Sequence, residues 1–221
     1  MRFEWLSHQK RNNLILFFSG WGVGWRPFSD LKSNCSDVII IYDYTESALD
    51  LNLEKLCREH LSVTLIAWSM GVAMANVVCH PFSDLFKKAI AINGTISPVH
   101  EMFGISPEVM EKTIQNLSNG GLAKFYKRMC GNNSTHIKFN TLHDDFEGLD
   151  EELKVLYSRF NCILPEENIF KMAFIGKKDR IFSPSCQLSS WTHWQTNQRL
   201  LDEPHFPFFS WKNWEDITEY E

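Results

Sequence analysis

Ser69 stands in Ala67-Trp68-Ser69-Met70-Gly71, behind an apolar run and ahead of a helix-like stretch rich in small residues. A serine nucleophile needs that strand–turn–helix setting to lift its hydroxyl above a sheet. The turn strains the serine backbone, so residues two positions away on either side must be small, as Ala67 and Gly71 are. The pentapeptide alone says little, because Ser118-Asn119-Gly120 repeats its Ser-x-Gly half. That second site follows a helical stretch rather than a strand, so context favours Ser69. The competing reading of Ser69 is an ordinary strand-to-helix turn.

A serine nucleophile needs a base, and the base needs an orienting acid. Asp179 follows the strand-like Met172-Ala173-Phe174-Ile175 through Gly176-Lys177-Lys178. Taken alone, it reads better as a turn residue capping the next segment. His205 follows the last strand candidate, in Glu203-Pro204-His205-Phe206-Pro207-Phe208. The other seven histidines fit the base role less well. His8 precedes the core strands, and His60 and His80 end helices, where an imidazolium meets the dipole favourably. His100, His136 and His143 fall in a helical stretch, and His193 in a Trp-rich loop before the last strand. Ser69, Asp179 and His205 come in that order, each after a strand candidate, and so reach one carboxyl edge of a parallel sheet. Acyl transfer also needs donors aimed at the developing oxyanion. The backbone N–H of Met70 is one candidate. The N–H of Trp21, in Ser19-Gly20-Trp21-Gly22, is the other. By itself that loop is a glycine turn with a core tryptophan; beside the other three elements it reads as an oxyanion loop.

The elements that must hold these groups follow a βαβ rhythm. Asn13–Phe18, Asp37–Tyr42, Leu61–Trp68 and Lys88–Ile92 are short runs apolar on both faces, the pattern of central parallel strands. Helical candidates lie between them, around Leu51, Leu53, Leu56 and Cys57 and over Met70–Cys79. The rhythm implies a doubly wound, mostly parallel sheet with right-handed crossovers. From 98 to 167 it breaks. Ser106-Pro107-Glu108 starts one helix, carried on by Met110, Ile114 and Leu117. Leu122, Phe125, Tyr126 and Met129 form a second stripe, and Leu149, Leu153, Leu156 and Phe160 a third. The expected organisation is a core of residues 1–97 and 168–221, with a helical cap at 98–167 inserted before two closing strands, Met172–Ile175 and Gln198–Leu201.

Composition narrows the class. The chain has 221 residues, 44% of them hydrophobic, including 17 Phe and 8 Trp. A domain of this size buries roughly 70% of its unfolded surface, so it needs no staples. With 22 basic and 27 acidic side chains, the net charge of −5 excludes a global positive field for nucleic acid. Six cysteines at long, irregular spacings form no C-x-x-C pair, which argues against a zinc site or a disulfide framework. The N-terminus has no apolar signal core, and no run is long enough to cross a bilayer. The expectation is a soluble, cytoplasmic protein.

Together, Ser19-Gly20-Trp21-Gly22, Ala67-Trp68-Ser69-Met70-Gly71, Gly176-x-x-Asp179 and His205-Phe206-Pro207-Phe208 resemble the α/β-hydrolases across nearly the whole chain. More narrowly, the chain resembles the pimeloyl-acyl-carrier-protein methyl ester esterases of biotin synthesis, in their short branch. Those enzymes pair a Gly-Trp-Gly oxyanion loop with a Trp-Ser-[Leu/Met]-Gly elbow. Two positions depart from the wider pattern: Ser19, where His usually precedes the Gly, and Ala67, where the elbow usually opens with Gly.

The resemblance implies removal of a methyl ester from a carrier-bound dicarboxylate in two acyl-transfer steps, with Ser69, His205 and Asp179 as the triad and no metal or cofactor. It implies a cap over an apolar channel lined by some of Trp21, Trp68, Phe103 and Phe125. A thioesterase or general carboxylesterase with the same triad is the second reading. An inactive hydrolase fold used as a binding module is the third, against which the intact Ser–Asp–His set argues.

The implied partner is an acyl carrier protein, which is strongly acidic and needs a local positive patch on this acidic chain. Lys124, Lys127 and Arg128 supply one at i, i+3 and i+4, offset about 200° from the apolar stripe of the same helix. A solvated helix face is the competing reading of that cluster. Asp144, Asp145, Glu147, Asp150, Glu151 and Glu152 are expected to repel the carrier. No nucleic acid or membrane partner is expected, and the chain is expected to be a monomer.

Overall fold

The computed structural model describes residues 1–143 and 147–219, with the backbone alone at 118 and 119. Asp144 and Asp145 of the acidic run lie outside the described residues. Seven strands form one sheet among the described residues: β1 (Arg2–Ser7), β2 (Asn13–Phe18), β3 (Ser36–Tyr42), β4 (Ser62–Trp68), β5 (Phe86–Ile92), β6 (Met172–Gly176) and β7 (Asn197–Leu201). Their order across the sheet is β1-β3-β2-β4-β5-β6-β7. Strand β1 runs antiparallel to β3, and every other pairing is parallel. This is the α/β-hydrolase architecture, as the βαβ rhythm and the motifs led us to expect.

The central strands form because they are apolar on both faces. Leu14, Leu16 and Phe18 of β2 enter one core layer, and Ile15 and Phe17 enter the other. Helix α2 (Met70–Cys79) packs in the first layer, and Phe28, Phe206, Phe208 and Trp214 fill the second. Each such fully buried side chain stabilises the fold by about 1.5–3 kcal/mol. Strand β1 is an addition to the sequence reading. It is an edge strand in which Phe3, Trp5 and Leu6 are only partly buried and Arg2 and Glu4 are exposed, so it shows no continuous apolar run.

Helix α1 (Leu53–Arg58) lies between β3 and β4 and is capped by the Asn52 side chain. Among the described residues, four helices lie between β5 and β6: α3 (Pro107–Asn116), α4 (Leu122–Cys130), α5 (Asn133–Leu142) and α6 (Leu149–Phe160). Three of them coincide with the three expected stripes. Helix α5 was not expected: Phe139 is its one buried residue, and its start is set by the Asn132 cap rather than by an apolar stripe. Helix α7 (Pro184–His193) places His193 at a helix end, not in a loop, behind the Ser183 cap and Pro184. Helix α8 (Trp214–Thr218) closes the second core layer behind a capping box of Asn213 and Asp216. No helix among the described residues is long and apolar enough to cross a membrane.

Candidate active site

Parallel register brings the strand ends to one edge. Phe18 pairs with Ala67, Trp68 with Ile92, Ile92 with Phe174, and Gly176 with Leu201. The segments leaving these ends carry Ser19–Gly22, Ser69, Asn93, Asp179 and His205.

Ser69 joins β4 to α2 with φ 58° and ψ −130°. For a residue with a Cβ, this conformation costs on the order of 1–3 kcal/mol and persists only where the surroundings enforce it. They do so here by close approach. A Cβ on Gly71 would collide with the carbonyl oxygens of Ser19 and Phe18, and one on Gly94 with the carbonyl of Ser69. Ala67 is fully buried in the first core layer, so a methyl group is tolerated where the elbow usually has glycine.

His205 Nε2 lies 3.0 Å from Ser69 Oγ, and its Nδ1 lies 2.8 Å from Asp179 Oδ2. A carboxylate only accepts, so Nδ1 carries the proton and Nε2 is left to receive one from the serine. All three residues are buried. Asp179 is solvated by the protein instead of water. Its Oδ1 accepts from the N–H groups of Ile181 (2.8 Å) and Phe182 (3.0 Å), and its Oδ2 also accepts from Gln187 Nε2 (3.0 Å). The His205 carbonyl accepts from Trp68 Nε1 at 2.8 Å and from Asn93 Nδ2 at 2.9 Å. Asn93 also ties the end of β6 to the histidine loop, accepting from Gly176 N–H at 2.6 Å and donating to the Pro204 carbonyl at 2.9 Å.

The Ser19–Gly22 loop passes directly over the elbow. A Cβ on Gly20 would sit 3.0 Å from that of Ser69 and 2.9 Å from the Trp68 ring. Met70 heads α2, whose first-turn N–H groups have no partner within the helix. Beside them opens a cleft with Ser69, Met70, Trp21, Val109, Met110, Phe125, Leu153 and Phe182 among its walls and Arg128 and Arg180 as its cations. A wider groove shares Val109, Thr113, Phe125 and Arg128 with it and adds Lys112 and Lys124.

The family model for the pimeloyl-ACP methyl esterase BioG matches residues 1–217. The chain belongs to the BioG family. It superposes on the crystal structure of BioG from Haemophilus influenzae with a TM-score of 0.88 and 26% identity, over 98% of this chain and 99% of that one. A malonyl-[acyl-carrier protein] O-methyltransferase from Bacteroides fragilis (strain 638R) is 35% identical over 199 residues. The match covers 89% of this chain, but the chain spans only 40% of the length of that curated relative. More distant likenesses show the fold alone, such as the enol-lactonase from Burkholderia xenovorans LB400 (13% identity, TM-score 0.60, over 92% of this chain and 88% of that one).

In this BioG-family chain, two of the expected channel residues, Trp21 and Phe125, border the cleft, and their rings meet edge to face at 5.0 Å. The other two do not. Trp68 alternates onto the opposite face of β4 from Ala67, packs among Phe28, Phe206 and Phe208, and spends its indole N–H on His205. Phe103 stacks on His100 (4.9 Å) and meets His193 at a tilt (5.1 Å), and it is not among the walls of the cleft. Lys124, Lys127 and Arg128 are exposed on α4 above the buried Tyr126, Met129 and Cys130. Arg128 differs from the two lysines in also bordering the cleft. Glu152 departs most from expectation. It is only 4% exposed, so it cannot belong to a solvated repelling face. The supporting residues Asn93 and Gln187 carry no spacing signal, although Asn93-Gly94 is a turn dipeptide immediately after β5. Two thiols in the core are inert as nucleophiles: burial pushes both Cys57 and Cys130 up to about 12.

Proposed function

We propose that this chain hydrolyses the methyl ester of pimeloyl-[acyl-carrier protein], releasing methanol and the free carboxylate, as a cytoplasmic step of biotin synthesis. The observation that carries the reading is the hydrogen-bonded Ser69–His205–Asp179 chain beside an apolar cleft in a BioG-family chain. Ser69 Oγ attacks the ester carbonyl while His205 Nε2 takes its proton. Asp179 holds the tautomer and stabilises the imidazolium. The N–H groups of Trp21 and Met70 receive the oxyanion. Collapse breaks the bond to the methoxy oxygen, which leaves as methanol with the proton from His205. Water then attacks the acyl-enzyme with His205 again as base, and the acid is released.

In this reading, residues 98–167 act as the cap. The cleft holds the apolar diacid chain, and the adjoining basic groove receives the carrier end. Lys124, Lys127 and Arg128 face the acidic carrier protein. This orientation favours ester over thioester cleavage, because Lys112 and Lys124 line the groove only, while the reacting serine lies in the cleft.

The substrate itself supplies the test, since it carries both an ester and a thioester. Methanol release with the carrier still acylated is the expected result. Free carrier thiol with the methyl group retained would establish the thioesterase instead. An absence of fluorophosphonate labelling at Ser69 would leave the binding-module reading. Growth rescue of a biotin-requiring strain that lacks its methyl esterase checks the role in the cell.

A further inference from the structure

Glu152 sits in the first turn of α6 with its carboxylate turned into the core. Oε2 accepts the Gly22 N–H at 3.2 Å, and Oε1 accepts the Tyr44 N–H at 3.0 Å. The same turn receives the Trp21 indole, which donates to the Leu149 carbonyl at 2.8 Å. From α4, the Tyr126 hydroxyl donates to the Gly22 carbonyl at 3.2 Å. Both backbone groups of Gly22 are thus held by side chains of the helical insert. Gly22 has φ +66°, which a side chain would strain.

A buried carboxylate is expensive and needs its acceptors filled. Here two N–H donors from two different loops fill them, and that demands the ionised form. A protonated carboxyl or a glutamine amide turns a hydrogen towards one of the two donors and loses that bond. We propose that Glu152 is a positioning residue for the oxyanion hole: its ionised carboxylate clamps Gly22, fixes the adjoining Trp21 N–H over Ser69, and so makes a competent site conditional on α6 being seated. The proposal rests on the reading of Trp21 as an oxyanion donor.

The charged and titratable groups around Glu152 set its ionisation. Asp43 at the end of β3 opposes it, and Asp43 is itself paired with Arg2 at 3.0 Å. The Met1 ammonium favours it, with Glu46 close to that ammonium. Glu147 borders the same small recess, and Tyr44, whose phenol is raised by burial, stays neutral. Burial dominates and pushes the Glu152 carboxyl up to about 7. The clamp is therefore made and broken across the neutral range.

The test measures kcat and KM for a small methyl ester with wild type and Glu152→Gln from pH 5.5 to 8.5. The small ester keeps carrier docking out of the readout. At pH 8.5 we expect kcat of Glu152→Gln to fall about 10- to 100-fold, the scale for a displaced oxyanion donor, with KM within threefold. Below pH 6 the two enzymes converge, because the wild-type carboxyl is then protonated, while the contribution of His205 is common to both. An unchanged kcat, or a deficit of constant size across the range, would overturn the proposal. If circular dichroism shows Glu152→Gln unfolded, Tyr126→Phe is read in its place: a lower kcat at unchanged KM supports the clamp, and no change overturns it. Ser69→Ala separates the two levels, because full activity there would remove the triad reading whatever Glu152 does.

Discussion

Gln187 Nε2 donates to Asp179 Oδ2, the same oxygen that receives the His205 ring proton. One carboxylate oxygen thus serves the His205 imidazole and an amide from α7, while the other is held by two backbone N–H groups. Asp179 is thereby fixed in rotation, and the imidazole can meet it in one orientation only. The donors also make the carboxylate affordable in a site where Asp179 is 5% exposed.

Two substitutions separate orientation from charge. Asp179→Asn presents an amide hydrogen to Nδ1 and forces the wrong tautomer, so kcat should fall by about 10⁴. Gln187→Leu keeps the tautomer but frees one side of the carboxylate, and kcat should fall by about tenfold with KM unchanged. Steady-state kinetics on a small methyl ester reads both. A loss at Asp179→Asn no larger than that at Gln187→Leu would assign the orienting acid elsewhere.

The elbow predicts an opposition between stability and activity. Ser69→Ala and Ser69→Gly should both abolish turnover. They should differ in stability, because φ 58°, ψ −130° is a region that glycine enters freely and alanine does not. We expect Ser69→Gly to exceed Ser69→Ala by about 1–3 kcal/mol in urea unfolding. Equal midpoints would mean that the turn is not strained, and retention of more than a few per cent of activity in either would remove Ser69 as nucleophile.

What could be read in the sequence was whatever leaves a one-dimensional pattern. Strands β2 to β5 are apolar on both faces, and Ser69, Asp179 and His205 each follow a strand. The edge strand β1 pairs on one side only, so half its residues stay polar and the run disappears. Asn93 and Gln187 act through single amides whose partners lie 83 to 112 and 8 residues away along the chain, distances that no local pattern encodes. Glu152 did leave a trace. It lies three residues after Leu149 and four before Leu156, on the apolar face of α6, where an acid has no place unless something pairs with it.

That burial has a consequence for stability against pH. The folded-state pKa of Glu152 is raised to about 7 by burial, so the native state holds its proton more tightly than the unfolded chain. The stabilisation this gives is fully present below the ordinary glutamate range and is lost as pH rises through about 7. The shift corresponds to about 3 kcal/mol. Glu152→Gln is neutral throughout and lacks this loss. Between pH 4.5 and 8, wild-type stability should therefore fall relative to the variant by up to that amount, other carboxylates being common to both. Urea denaturation at a series of pH values measures it, and parallel curves would show that Glu152 does not titrate in this range.

The carrier-docking reading is tested best by leaving Arg128 alone. Lys124 and Lys127 are exposed on α4, whereas Arg128 also borders the cleft, so reversing it would disturb the cleft as well as the surface. Lys124→Glu with Lys127→Glu changes the local charge by four units on one helix face. Rim charges act mainly on encounter, so kcat/KM for the carrier-linked ester should fall at least tenfold at low ionic strength. The deficit should shrink as salt rises and the Debye length falls below about 10 Å. The same double variant should hydrolyse a small methyl ester within twofold of wild type, since neither lysine borders the cleft that holds Ser69. Arg128→Glu should impair both substrates, because the charge it reverses borders the cleft as well as the surface. Equal loss on both substrates in the lysine variant would make the two residues structural, and no loss on either would move the carrier to another face.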